Sequence, residues 1–324
     1  MLALNASDVG SRVVVRRKVG PLYTDLLGEL REITPAGVVV LTNSGEVRVP
    51  MDEIHRAKKV PENPIARLEK AATEAWPPLE VEWLGQWRLR ASEGYTGRAN
   101  SVLALGDPGL PLGEAITRAT AFYEARGLRP RMDIPLPLSA RVVPAVVAAG
   151  WTQECEVLIQ TMPLAQLIAA TPPGLGCTAS ATPSPAALEI ISGRRGRLPS
   201  AAMHVLTAVP LINFIEYAEQ PSRPAGIAAR SHAGAESGGL LAMARGAVTD
   251  GYLGLFAIET VAAARRRGLA QQVIGALARW AAQVGARTAY LHVESTNATA
   301  IALYEKLGFR THHRYVRYSA VPPR

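Results

Sequence analysis

The residues with the plainest chemical consequence lie in Val261–Ala270, VAAARRRGLA, where a strand-like run gives way to a helical one. Three consecutive arginines, Arg265, Arg266 and Arg267, precede Gly268-Leu269-Ala270. A helix starting there leaves backbone N–H groups without intrahelical acceptors and presents the positive end of its dipole, so it favours an anion. Guanidinium forks match phosphate oxygens two at a time, and small residues let a backbone come close. The pattern predicts a pyrophosphate site. Taken alone, the string also reads as a solvated basic helix cap.

The elements around the loop favour the first reading. Upstream, Gly251–Val261 (GYLGLFAIETV) is apolar and β-rich and follows the turn signal Thr249-Asp250-Gly251, which predicts a hairpin strand leading into the loop. Downstream, Leu269, Val273, Leu277, Trp280 and Val284 recur at spacings of three and four, as the buried face of a helix does, and Gly285 suits its C-terminal cap. A buried strand over Thr288–Val293 and a helix over Ala298–Leu307, stopped by Gly308-Phe309, complete a strand–loop–helix–strand–helix unit. Such units bind ligands at the C-terminal edges of their parallel strands.

The loop Arg265-x-x-Gly268-x-Ala270 resembles the cofactor loop of the GCN5-related N-acetyltransferases (GNAT), and Asn297–Phe309, NATAIALYEKLGF, is similar to that family's closing signature. Leu291–Phe309 particularly resembles bacterial enzymes that acetylate the N-terminal alanine of a ribosomal protein. The resemblance implies an α/β (α+β) fold with a central mixed sheet, acetyl-CoA as co-substrate and no metal. It implies that Tyr304 returns a proton to the departing thiolate and that Asn297 positions the pantetheine. It implies that the backbone of the strand around Phe256, Ala257, Ile258 and Val261 pairs with the pantetheine and that Arg265, Arg266, Arg267, Gly268, Leu269 and Ala270 hold the pyrophosphate. Where the ribosomal-protein enzymes carry a catalytic glutamate, this chain has His292, which is suited to accept a proton near neutral pH. Glu259, on the strand before the loop, is a second candidate base, and a histidine packed into the sheet is the plainer alternative for His292.

The same helix–strand–helix pattern recurs earlier in the chain. Gly127 and Gly150 are spaced as Gly285 and Gly308 are, and one shift sets Tyr123–Gly127 over Ala281–Gly285 and Ala149–Trp151 over Leu307–Phe309. The shift places Asp107–Leu112 under Arg265–Ala270, Ser139 under Asn297, Ile134 under His292 and Val146 under Tyr304. Residues 65–165 are thus expected to be a degenerate GNAT-like domain and residues 185–324 the catalytic one, making the fold duplicated. Residues 1–60, with β-type runs at Arg12–Arg16, Thr24–Ile33, Gly37–Thr42 and Glu46–Pro50 separated by turn signals, resemble a small SH3-like or Tudor-like barrel that either docks a protein partner or covers the enzyme. Val60–Pro64 is expected to link, and Thr171–Pro185, rich in Pro, Gly, Ser and Thr, to connect flexibly. Met203–Ala208 is expected as a strand, Pro210–Glu219 as a helix, and Ile227–His232 and Leu240–Ala247 as strands.

Bulk properties constrain less. The 324 residues carry a net charge of +8, from 35 Lys+Arg and 27 Asp+Glu, in short clusters that suit an anionic nucleotide without calling for nucleic acid. Two cysteines argue against a disulfide framework, and an N-terminus without a signal-peptide pattern predicts a cytoplasmic protein with no membrane association. The function expected is transfer of an acetyl group to a primary amine, whether a protein lysine or N-terminus or a small molecule. A non-enzymatic acyl-CoA sensor or adaptor that uses the barrel is the alternative.

Overall fold

The computed structural model describes residues 3–42, 45–219 and 239–321, in two units, Met1–Arg67 and Leu68–Arg324. In the first unit, β1 (Arg12–Val19), β2 (Leu22–Thr34), β3 (Gly37–Thr42), β4 (Gly45–Pro50) and β5 (Ile54–Lys59) form an antiparallel sheet in the order β4-β3-β2-β1-β5. Val13 and Val15 of β1 alternate with more exposed neighbours and pack with Leu30, Val38, Val40 and Val49. Register shifts bend the sheet where β1 meets β5 and where β2 meets β3. A β4–β5 pairing that would close a barrel is not present among the described residues, so the structure shows a five-stranded sheet. Asn43 and Ser44 of an expected turn lie outside the described residues.

Chain continues through α1 (Pro64–Glu74), β6 (Glu80–Leu84), β7 (Trp87–Ala91), β8 (Val102–Leu103), α2 (Leu112–Glu124), β9 (Arg131–Leu136), α3 (Val142–Ala148), β10 (Thr152–Pro163) and α4 (Leu164–Ala170). There follow β11 (Cys177–Ser180), α5 (Pro185–Arg195), α6 (Ala201–Thr207), β12 (Ile212–Ala218), β13 (Leu240–Thr249), β14 (Tyr252–Thr260), α7 (Leu269–Gln283), β15 (Thr288–Glu294), α8 (Ala298–Leu307) and β16 (Arg310–Ser319). The strands of the second unit make one eleven-stranded sheet, β11-β12-β13-β14-β15-β10-β16-β9-β8-β7-β6. Only β14–β15 and β8–β9 pair in parallel among the described residues.

That order reads alike from either end of its centre. The hairpin β13–β14, α7, β15 and α8 have counterparts in β7–β8, α2, β9 and α3, and each half sends its last strand into the other's side of the sheet. At the centre Val157 of β10 pairs with Tyr315 of β16, 158 positions later, and Thr152↔Ser319 becomes Thr161↔Arg310 under the same shift of 158. The two register irregularities, which pass over Glu154 and His312, obey it too. Helices α2, α3, α7 and α8 all run into left-handed glycines, Gly127, Gly150, Gly285 and Gly308.

Helix α7 lies on the sheet by the face the spacing predicts: Leu269, Val273, Leu277 and Ala281 are buried, while Trp280 and Val284 are partly so. Three expectations between residues 171 and 219 are corrected. Of the strand expected over Met203–Ala208, Met203–Thr207 belongs to α6, not to a strand; Ala201, Ala202, Met203 and Leu206 are strong helix formers, and Ala201, Ala202, Val205 and Leu206 are buried. Pro210–Glu219 holds β12, not a helix, because its β-branched and aromatic INFIEY pairs along β13. Thr171–Pro185 is not merely a connection: β11 needs only backbone to pair along β12, and the Gly174 amide donates to Gln272 Oε1 of α7 at 3.1 Å. The expected strand at Ile227–His232 lies outside the described residues.

Candidate active site

The site begins where two parallel strands part. Pairing between β14 and β15 runs from Tyr252↔Thr288 to Leu255↔Leu291 and stops, although both strands continue, to Thr260 and Glu294. At that point β14 also carries one residue more than β13: Arg245 faces Phe256 and Met243 faces Glu259. Ala257, in this bulge, has φ of 45°, the left-handed region that costs a non-glycine residue about 1 kcal/mol or more. Bulges raise local twist and end pairing. Beyond it, the β15-facing edge of β14 opens on a cavity of about 340 Å³.

Six of the residues expected to act meet at this cavity: Phe256, Ala257, Ile258 and Glu259 from β14, His292 from β15 and, at the start of α8, Asn297; Tyr304 joins them two turns along. Asn297 caps α8, its Oδ1 accepting the Ala300 N–H at 3.1 Å, a structural duty that uses its acceptor and not its N–H donors. Tyr304 is half-buried, its ring edge-on to Phe309 with centroids 6.0 Å apart. Glu259 is half-buried on the bulged stretch.

His292 sits in an unusual environment for a base. Both ring nitrogens are shielded from solvent and hydrogen-bond to nothing among the described residues. Its ring lies between Tyr290 and Tyr315, at 5.8 and 5.9 Å. Burial, followed by the positive charge of Arg98 and of more distant neighbours, holds its pKa well below 6.5, so the imidazole is neutral at physiological pH and protonates reluctantly.

The remaining expected residues lie along the chain just after β14 and are not cavity walls. The Val261 amide donates to the Leu241 carbonyl at 2.9 Å, which ties the strand's end to β13. A single turn, Ala262–Ala264, then delivers the arginines to α7. Arg265, Arg266, Arg267 and Gly268 are exposed, whereas Leu269 is buried and Ala270 partly so. Gly268 caps α7 at φ 78° and Arg266 has φ 64°, so two left-handed residues turn the backbone just before the helix, an arrangement that converges amides on an anion. A Cβ at Gly268 would meet nothing within 4 Å among the described residues. Arg267 bonds Glu219 at 3.1 Å, an exposed pair of little energetic weight. An exposed basic helix start beside an unpaired strand edge fits a long thioester with an anionic head.

The far wall was not read from the sequence. Trp76, Tyr95 and Arg98 come from the segment around β6 and β7, Val157 from β10 and Tyr315 and Arg317 from β16. Behind them, Asp133 is fully buried and accepts from Arg317 Nε at 2.7 Å and from Arg90 at 3.0 Å. Despite the cost of burial, these guanidiniums hold the Asp133 pKa below its usual value. Fully buried Arg245 donates to the Leu206 carbonyl at 2.8 Å at the end of α6; burial brings its pKa down to about 9. One signal was available: Arg245 is a lone charge within the apolar run LLAMARGAV.

A mixed sheet whose parallel strands splay beside a basic helix start defines a GNAT fold. A GCN5-related N-acetyltransferase from Kribbella flavida superposes with a TM-score of 0.58 over 82% of this chain and 98% of its own, at 16% identity. A family model described as "Probable histone acetyltransferase Rv0428c C-terminal" matches residues 63–319, and the chain belongs to that family. "Probable histone acetyltransferase Rv0428c" of Mycobacterium tuberculosis is 31% identical over 96% of this chain and 94% of its own length. "Uncharacterized N-acetyltransferase YobR" of Bacillus subtilis is 26% identical over 78% of this chain and 97% of its own. The protein is a GNAT-type N-acetyltransferase.

Proposed function

We propose that the chain moves an acetyl group from acetyl-CoA to a primary amine in the cavity between β14 and β15. The observation that carries this is the convergence of Glu259, His292, Asn297 and Tyr304 on one cavity whose β14 edge leads to the arginines of α7. Amides of Arg266–Ala270, with the Arg265–Arg267 side chains, would hold the pyrophosphate. The Phe256–Ile258 backbone would align the pantetheine as an added strand would, and its N–H groups would meet charge developing on the carbonyl oxygen. The bound co-substrate supplies an activated acyl group; the protein supplies position and proton movement.

A primary amine is largely protonated at neutral pH and must lose a proton before it attacks. Glu259 is assigned this step, directly or through water, because the environment of His292 disfavours the imidazolium. Neutral His292 then serves as a polar wall group, and the Tyr304 hydroxyl gives its proton to the departing sulfur. The name of the mycobacterial relative brings protein lysines among the candidate acceptors. Residues 185–324 are assigned as the catalytic domain and 65–165 as its inactive duplicate, on the shared register about Val157 and Tyr315. For residues 1–60 we retain an SH3-like reading, on the strand order β5-β1-β2-β3-β4 with bends at both register shifts. Free Cys155 and Cys177 suit a reducing cytoplasm, and no helix among the described residues is long and apolar enough to cross a membrane. Thiol release from acetyl-CoA, dependent on added amine and accompanied by the acetylated product in mass spectra, is the expected result. Acetyl-CoA binding without transfer to any amine would leave a sensor in its place.

A further inference from the structure

Arg98 has no part in the chemistry just assigned, yet it lines the same cavity. It lies in the loop between β7 and β8, and its Nε and Nη1 are shielded from solvent without a hydrogen-bond acceptor among the described residues. Its guanidinium rests over the rings of Trp76 and Phe256, at 5.4 and 5.0 Å, and those rings stack on one another at 5.0 Å. Each neighbouring guanidinium is better provided for. Arg90 and Arg317 share Asp133, and Arg245, over the same two rings at 4.9 Å, donates to helix carbonyls. Ring faces return only part of what it costs to take a guanidinium out of water. Burial accordingly lowers the Arg98 pKa, with Tyr315 the largest opposing influence.

Glu259 and Glu294 also line the cavity, and Glu69 is among the groups whose charge opposes the fall in the Arg98 pKa. A lysine side chain would offer its ammonium to the lining carboxylates and bring no counter-charge to Arg98. A small amine that also carries a carboxylate would answer both, since a guanidinium fork takes a carboxylate in two parallel hydrogen bonds.

We propose that Arg98 is the acceptor-binding residue, pairing with a carboxylate on the substrate, so that the preferred acceptor is a small amino acid-like amine. This rests on the acetyl-transfer reading of the same cavity. The test assays the full chain with acetyl-CoA against matched amines: amino acids and their amides, β-alanine and its amide, and a lysine-rich peptide. Carboxylate-bearing members are expected to show kcat/KM roughly 100-fold above their amides, as charged, paired hydrogen bonds give. R98M should erase that preference through KM while leaving calorimetric acetyl-CoA affinity unchanged. Because R98M removes an unpaired charge, its Tm should hold or rise, and the preferred acid should raise the Tm of the parent chain but not of R98M. Equal kcat/KM for acids and amides, better transfer to the peptide, or a preference that survives in R98M would overturn the inference and leave the acetyltransferase reading standing. Acetyl-CoA binding with no transfer to any amine would overturn both.

Discussion

The two halves of the second unit share a layout and differ at every point where acetyl-CoA would be touched. β14 runs on for five residues past its last parallel pair, whereas β8 is two residues long and ends with its pairing. At the helix start the later half has Arg265, an exposed backbone turn and Gly268. The earlier half has Asp107, whose carboxylate accepts the Gly109 N–H at 2.8 Å, while the Asp107 N–H goes to Gln86 Oε1 at 2.8 Å. The Asp107 and Gly109 amides are thus already bonded within the protein, and prolines at 108 and 111 remove further donors. Ile134 and Val146, buried in its core, stand where His292 and Tyr304 line a cavity. On the proposed duplication, the earlier half satisfies internally the groups that would bind a ligand, and it supplies Trp76, Tyr95 and Arg98 to the cavity of the later half.

The contrast can be broken or sharpened by mutation, beginning with the largest effect. Tyr304→Phe should lower kcat by roughly 100- to 10,000-fold, the range of lost proton transfer, with acetyl-CoA affinity in calorimetry unchanged; undiminished turnover would remove the phenol from the mechanism. Asp133→Asn strikes the ion cluster that Asp133 of β9 forms with Arg90 and Arg317. It should cost about 3–5 kcal/mol in urea unfolding, because two buried guanidiniums lose their counter-charge; a loss below 1 kcal/mol would make the cluster incidental.

His292 gives a pH-dependent effect. Its folded pKa is depressed, so the penalty is absent above about 6.5, where the unfolded histidine is also neutral, and grows as pH falls below that value. The slope is about 1.4 kcal/mol per pH unit. His292→Asn should flatten this part of the acid limb of stability; an unchanged limb between pH 6.5 and 5 would show that the imidazole charges freely. Asp107→Arg should change least. Restoring one arginine restores neither the strand extension nor the free amides, so calorimetry should find no second acetyl-CoA site.

The later half was legible because its signals are local. The arginine-rich loop, its helix and the capping Asn297 are each set within a few residues, and the Gly127–Gly150 and Gly285–Gly308 spacings exposed the recurrence. The far wall was not, since Arg98 and Arg317 meet only when the halves exchange β10 and β16 across the sheet centre. Nor could the sequence show that both ring nitrogens of His292 would be shielded and without a partner among the described residues, because that follows from packing between Tyr290 and Tyr315. Short apolar runs such as those in α6 and β12 are ambiguous until a neighbour is known.

Calorimetric titration of the full chain and of Gly268→Asp with acetyl-CoA tests the central claim most directly. One site per chain is expected, weakened at least 100-fold by an anionic side chain at the left-handed cap of α7. No heat with the parent chain, two sites, or undiminished binding by the variant would contradict it.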